Sequence, residues 1–187
     1  MKKISTLFER DSQNRSRVIN KIKPENQWVY DEPGIPTRKY DGAACAIIKG
    51  KLHKRYDVKK GRQVPINAIP CQDPDPITGH WPHWIECERG KPEDKYFFEG
   101  YDKMEYPETI EFGSFELCGP KVQGNPEKFD SHVLVLHGIS ELSITDYSYE
   151  SIKTFLLNPE YDIEGIVFHG KNGKMCKIKK CDFGIKR

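Results

Sequence analysis

An α+β fold built mostly from antiparallel strands is what this sequence predicts, on three observations. Ala43 to Ile48 and Leu52 to Tyr56 are strand-like runs on either side of Lys49-Gly50, which is the signature of a β-hairpin. Ile163 to His169 and Lys174 to Lys179 flank Asn172-Gly173, the strongest two-residue turn signal. The best helix candidate is 148–157. Ile152, Phe155 and Leu156 supply its apolar stripe, Ser148 its N-cap, and Asn158-Pro159 its end.

Composition supports one folded domain spanning 1–187. The 187 residues are 36% hydrophobic and 31% charged, and nine Phe, nine Tyr and three Trp exclude a disordered chain. The formal net charge of +2 does not by itself select a partner. Cys45, Cys71, Cys87, Cys118, Cys176 and Cys181 follow no paired rhythm, so free thiols in a reducing compartment are expected. No apolar run approaches bilayer length and no signal-peptide pattern opens the chain. A soluble, intracellular, cytoplasmic protein without a membrane partner is the expectation.

Residues 1–23 read as an N-terminal arm, with Leu7 and Phe8 as its anchors and a solvated Ser-Gln-Asn-Arg-Ser-Arg stretch after them. Residues 24–37, with Pro24, Pro33, Gly34 and Pro36, read as an extended loop. Residues 64–95 read as a loop-rich insertion, of a length that in compact domains is usually functional or mobile. Tyr96 to Gly100 and Thr109 to Cys118 look like strands, with Gly119-Pro120 ending the second. His132 to His137 is a strongly apolar strand.

The chemistry-bearing stretch is Lys39-Tyr40-Asp41-Gly42. It supplies an amine, a carboxylate two residues on, and a glycine that lets the backbone turn directly ahead of the strand 43–48. With Lys49 and Gly50 at the hairpin tip, Ala44 lies opposite Arg55, so Arg55 shares a face with Ala44 and Ala46, whose small side chains leave room for a ligand. In the last hairpin, a two-residue turn at Asn172-Gly173 sets Phe168 against Lys177, Ile166 against Lys179 and Glu164 against Cys181. Alternation then sends Glu164, Lys177 and Lys179 to one face and Ile163, Val167 and Ile178 to the core. A carboxylate and two ammonium groups on one face suit a nucleoside triphosphate and its metal ion. A solvated polar face is the plainer alternative.

The order and rough spacing of Lys39-Tyr40-Asp41-Gly42, Arg55, Phe115-Glu116-Leu117, Glu164-Gly165-Ile166-Val167 and Lys177-Ile178-Lys179 resemble the motif set of the covalent nucleotidyltransferases. The ATP-dependent RNA ligases, and among them the RNA ligase 1-like group, are the specific likeness. Phe115 to Pro126 resembles a third motif of such ligases, and Thr6 to Asp11 and Trp81 to Trp84 resemble two further segments of theirs. The likeness covers nearly the whole chain. It implies a ligase adenylation domain in which two antiparallel sheets flank an ATP cleft, with no appended OB domain.

It also implies a function. Lys39 attacks the α-phosphorus of ATP and forms lysyl-AMP; the AMP passes to a 5′-phosphate, and a 3′-hydroxyl displaces it to join two RNA ends. The family's roles carry over as follows. Lys39 is the nucleophile, and Lys177 and Lys179 lower its proton affinity and neutralise the α-phosphate. Arg55 and Glu116 contact the ribose, Asp41 orients the loop, and Arg38 joins the nucleotide contacts. Glu164 holds Mg²⁺ or Mn²⁺ through water. The family's purine-stacking ring comes from the strand between the third and fourth motifs. That strand, His132 to His137, has no Phe, Tyr or Trp, and His137 takes the place by position. The partner is RNA with 5′-phosphate and 3′-hydroxyl ends, and the protein is expected to be a monomer. A GTP-dependent capping-type guanylyltransferase and a non-catalytic nucleic-acid-binding module are the alternatives.

Two further clusters have plainer readings. Cys71, His80, His83 and Cys87 are zinc-ligand types, but their spacing is not that of a standard finger and free side chains are expected. Trp81 and Trp84 are expected to pack on the core rather than to stack on bases.

Overall fold

The computed structural model describes residues 3–76 and 78–187 and is mixed α+β, with sheets and few helices. Its strands in chain order are β1 (Ser5–Thr6), β2 (Phe8–Arg10), β3 (Val18–Ile22), β4 (Ile35–Lys39), β5 (Ala43–Ile48), β6 (Lys51–Val58), β7 (Ile69–Pro70), β8 (Trp81–Glu86), β9 (Phe112–Cys118), β10 (Val133–Leu136), β11 (Gly165–His169) and β12 (Met175–Lys179). The α-helices are α1 (Trp28–Asp31), α2 (Lys95–Tyr101) and α3 (Tyr149–Leu157). Among the described residues, no helix is long and apolar enough to cross a membrane.

Contacts divide the chain into two compact units. Asp41–His137, with Lys3, forms one; Ile4–Tyr40 and Gly138–Arg187 form the other. The chain leaves the second unit after Tyr40 and re-enters it at Gly138, so Lys39 and Gly42 belong to different units.

The Asp41–His137 unit is organised by a six-stranded sheet in the order β10-β9-β5-β6-β8-β7, with every pair antiparallel. Lys49 and Gly50 both have positive φ, 50° and 71°, as a two-residue hairpin turn requires. Cys45 pairs with Lys54, so the register expected from the sequence holds and the next step sets Ala44 beside Arg55. Cys45, Ile47, Leu52, Phe115 and Leu117 point to the core face. Tyr96 to Gly100 lies in helix α2 rather than in a strand. Aromatic residues favour strands only weakly against context. Here Pro92 opens a 3-10 turn that leads into the helix, whose Tyr96, Phe97, Phe98 and Tyr101 pack against the core. The 64–95 stretch also holds more order than its composition suggested, because β8 is a full sheet strand and Trp84 is buried.

The other unit is built on a four-stranded sheet in the order β1-β12-β11-β4, with β2 and β3 forming a separate hairpin. This sheet is not wholly antiparallel, since β1 runs parallel to β12. Leu7 and Phe8 are fully buried anchors, together with Ile152, Leu156, Ile166, Phe168, Cys176 and Ile178. Helix α3 matches its sequence reading: Ser148 accepts from the Ser151 N–H, and Ile152 and Leu156 are buried. Residues 24–37 are not an extended loop. Pro24 opens a 3-10 turn, α1 follows, and β4 begins at Ile35.

The last hairpin corrects the expected register. Asn172 and Gly173 do have positive φ, 58° and 71°. The Lys174 carbonyl, however, accepts from the Gly170 N–H at 2.8 Å, which leaves Lys171 as an extra residue in a bulge. Every pair therefore moves by one: Val167 faces Lys177, Gly165 faces Lys179, and Phe168 faces Cys176. Ile166 and Phe168, not Val167, join Ile163 and Ile178 in the core. Lys177 and Lys179 keep the same face, as expected.

Candidate functional site

Three strands of the second unit bring the lysines together. Lys39 ends β4 opposite Gly165 of β11, and Gly165 is opposite Lys179 of β12. Lys177 lies one row away, beside Val167 and Thr37. Pairing and alternation place Lys39, Lys177 and Lys179 on a single face. Gly165 sits at the middle of this row because a Cβ there would lie 2.2 Å from the Ile178 carbonyl oxygen.

Glu164 precedes β11, where the backbone leaves the ladder, and this departure lets its carboxylate turn to the lysine face. Its carbonyl accepts from the Lys180 N–H at 2.9 Å. One carboxylate oxygen pairs with Lys39 Nζ, and the other lies 3.3 Å from Lys179 Nζ. Three ammonium groups against one carboxylate leave the face positive and suited to phosphate. Burial, and then the charges of Lys39 and Lys179, depress the proton affinity of Lys177. At Lys179 burial works in the same direction and is the largest single influence, but Glu164, Cys181 and Asp182 together outweigh it and the pKa is raised.

Arg38 does not join this cluster. It pairs with Ile166 and so falls on the opposite side of β4. There Nη2 donates to the Asp162 carbonyl at 3.2 Å, and the guanidinium lies 4.9 Å from the Tyr40 ring centroid.

The Asp41–His137 unit carries the other sequence-selected residues. Across its sheet, Ala44, Glu116 and Val135 form one row, with Ala46 and Ser114 paired in the next; Arg55, paired with Trp84, falls on the same face by one step of register beyond the Cys45–Lys54 pair. Arg55 therefore shares the alanine-floored face with Glu116. Arg55 Nε donates to Asp57 at 3.1 Å. Glu116 is 8% exposed; one oxygen accepts from the Gly42 N–H at 3.1 Å and the other lies 2.9 Å from His137 Nε2. Since a carboxylate accepts, Nε2 is the donor, and Nδ1 meets the Ser114 hydroxyl at 3.1 Å. His137 thus braces Glu116 through its ring edge. Sequence reasoning missed Ser114 and this brace, although Ser-x-Glu on one strand with a histidine on its neighbour is the signal that carries them.

Gly42 is required by close packing, because a Cβ would stand 2.1 Å from the Leu117 carbonyl oxygen. The Asp41 N–H is held by Glu127 at 2.9 Å. Among the described residues, no group of three or more His, Cys, Asp and Glu is placed to hold a metal ion. His83 is buried with Nδ1 2.9 Å from the Trp81 carbonyl, and Cys87 is a buried core thiol whose pKa burial raises to about 12.

No protein-family model matches this chain, and no curated protein matches its sequence. What fold and site define together is an α+β protein with a cationic lysine face in one unit and a braced, alanine-floored carboxylate in the other.

Proposed function

We propose that the chain is a covalent nucleotidyltransferase of the ligase adenylation type that works as an ATP-dependent RNA ligase. The observation that carries the reading is the convergence of Lys39, Lys177, Lys179 and Glu164 on one sheet face. A nucleophilic amine has to be brought to a phosphate, lose a proton and act beside cations that absorb charge on the phosphoryl oxygens. Lys39 is the nucleophile, and Glu164 is the nearest acceptor for the proton it sheds. As the Lys39 N–P bond forms, the bond from the α-phosphorus to the bridging oxygen breaks and pyrophosphate leaves. Transfer of AMP to an RNA 5′-phosphate frees Lys39, and attack by a 3′-hydroxyl expels AMP and joins the ends. Lys177 and Lys179 neutralise the phosphate. The motif likeness gives Glu116 and Arg55 the ribose contacts, and each Glu116 oxygen keeps a lone pair beyond its present bond.

A lone carboxylate such as Glu164 suits Mg²⁺ or Mn²⁺ only in company with water and substrate phosphates, which is how Mg²⁺ usually binds. When bound, the ion would offset charge on the triphosphate.

The test uses 5′-phosphorylated RNA and DNA oligomers, open or nicked, with ATP or GTP. Joined RNA with ATP, lost in Lys39→Ala, is the expected result. Protein labelling from GTP alone indicates a capping-type enzyme. Absence of labelling by any nucleotide overturns the enzymatic reading and leaves a binding module.

A further inference from the structure

We infer that the β2–β3 hairpin is a clasp that positions Lys179, with Arg10 and Asp182 as its positioning residues. The inference rests on the proposed role of Lys179 beside Lys39. Lys179 is the last residue of β12, and a 3-10 turn, Lys180–Phe183, follows it. Asp182 in that turn is only 1% exposed. One of its oxygens accepts the Lys179 backbone N–H at 2.8 Å, and the other lies 2.8 Å from Arg10 Nη2. Arg10 is itself held by its hairpin, since Nη1 donates to the Ser16 carbonyl at 3.2 Å.

A second arginine from the same hairpin grips the same turn. Arg17 Nη1 donates to the Phe183 carbonyl at 2.5 Å, beside Gly184, where a Cβ would overlap the guanidinium. Beneath the polar contacts the Phe8 and Phe183 rings each meet Tyr149 edge-on at 5.1 Å. The segment leading into the hairpin also holds Lys177, because the Leu7 N–H donates to the Lys177 carbonyl at 2.8 Å. Residues 7–17 thus hold the Lys177 backbone directly and the Lys179 backbone through Asp182. Lysine side chains are long and flexible, so the site of their charge depends on a fixed Cα. Misplacement by about 1 Å can cost a reaction up to about a hundredfold.

The decisive comparison is Arg10→Met against Arg10→Lys. Arg10→Met is expected to slow lysyl-AMP formation at saturating ATP by about tenfold or more while the half-saturating ATP concentration stays within about twofold. Arg10→Lys, which keeps a cation for Asp182, is expected to recover most of the rate. Equal rates in all three proteins, or a loss matched by the unfolded fraction, overturn the clasp. Competitive acylation of the apo protein, resolved by mass spectrometry, gives a readout independent of nucleotide. Lys179 should react about threefold faster in Arg10→Met, with Lys51 unchanged, because a released strand end opens locally. Unchanged Lys179 reactivity contradicts the clasp even where wild type forms no adduct, and that absence of adduct counts against the ligase reading instead. Should Arg10→Met fail to fold, Arg17→Met at the exposed rim of the hairpin supplies the same readouts.

Discussion

The two units handle buried charge in opposite ways. Around Lys39 three ammonium groups share one carboxylate, and the proton affinity of Lys177 is depressed by burial and by its like-charged neighbours. Around Glu116 the carboxylate has a donor for each oxygen, and the imidazole beside it is braced in turn by Ser114. A frustrated cluster gains when an anion arrives; a satisfied one holds its shape and waits. The first arrangement fits a reacting centre and the second a binding surface. On the proposed function, damage to the lysine face should lower the rate of the chemical step, and damage to the Glu116 face should raise the nucleotide concentration needed.

The sharpest break of this contrast is Lys39→Ala. It should abolish protein-bound AMP altogether while circular dichroism and the unfolding midpoint stay close to wild type. Next comes Lys179→Met, expected to slow adduct formation by about a hundredfold, the scale of losing one charge-stabilising group in a transition state, with little change in half-saturating ATP. Gly165→Ala tests the backbone under the lysine row. Its Cβ would meet the Ile178 carbonyl oxygen at 2.2 Å, so urea unfolding should show a loss of about 2–3 kcal/mol. Glu116→Ala strips the Gly42 N–H and His137 of their acceptor. It should cost about 1–3 kcal/mol in urea unfolding and raise half-saturating ATP, with Glu116→Gln milder on both counts.

The smallest effect has the opposite sign. Lys177→Met removes a charge that burial disfavours, and about 0.5–1 kcal/mol of added stability is expected at neutral pH, alongside slower chemistry. Because the folded-state pKa lies below the ordinary 10.5, the penalty is complete below the folded value and disappears as pH rises towards 10.5. The stabilisation by Lys177→Met should therefore shrink in alkaline buffer, and urea titrations across that range check it.

Much of the lysine face was legible in the sequence, because alternation along one strand fixes Lys177 and Lys179 on a common side whatever the strand faces. Cross-strand partners were less legible. Asn172-Gly173 announces a turn, but the bulge at Lys171 depends on which carbonyl takes the Gly170 N–H, and that choice is made by burying Ile166 and Phe168. The register that carries Arg55 to the Ala44 face is readable because Lys49-Gly50 closes a hairpin without a bulge as far as the Cys45–Lys54 pair. The Tyr96 to Gly100 stretch misled because aromatic residues suit either a strand or a helix laid on a sheet, and its packing partners Leu52, Phe115 and Leu117 come from elsewhere in the chain. Arg38 adjoins Lys39 in sequence, yet adjacent residues on a strand face opposite ways.

The most direct measurement is to incubate the intact protein with α-labelled ATP and Mg²⁺, denature it, and map the labelled peptide. The account predicts one acid-labile AMP on Lys39, absent in Lys39→Ala and scarce in Lys179→Met. Label carried by another residue, or no label with a folded protein, would contradict it.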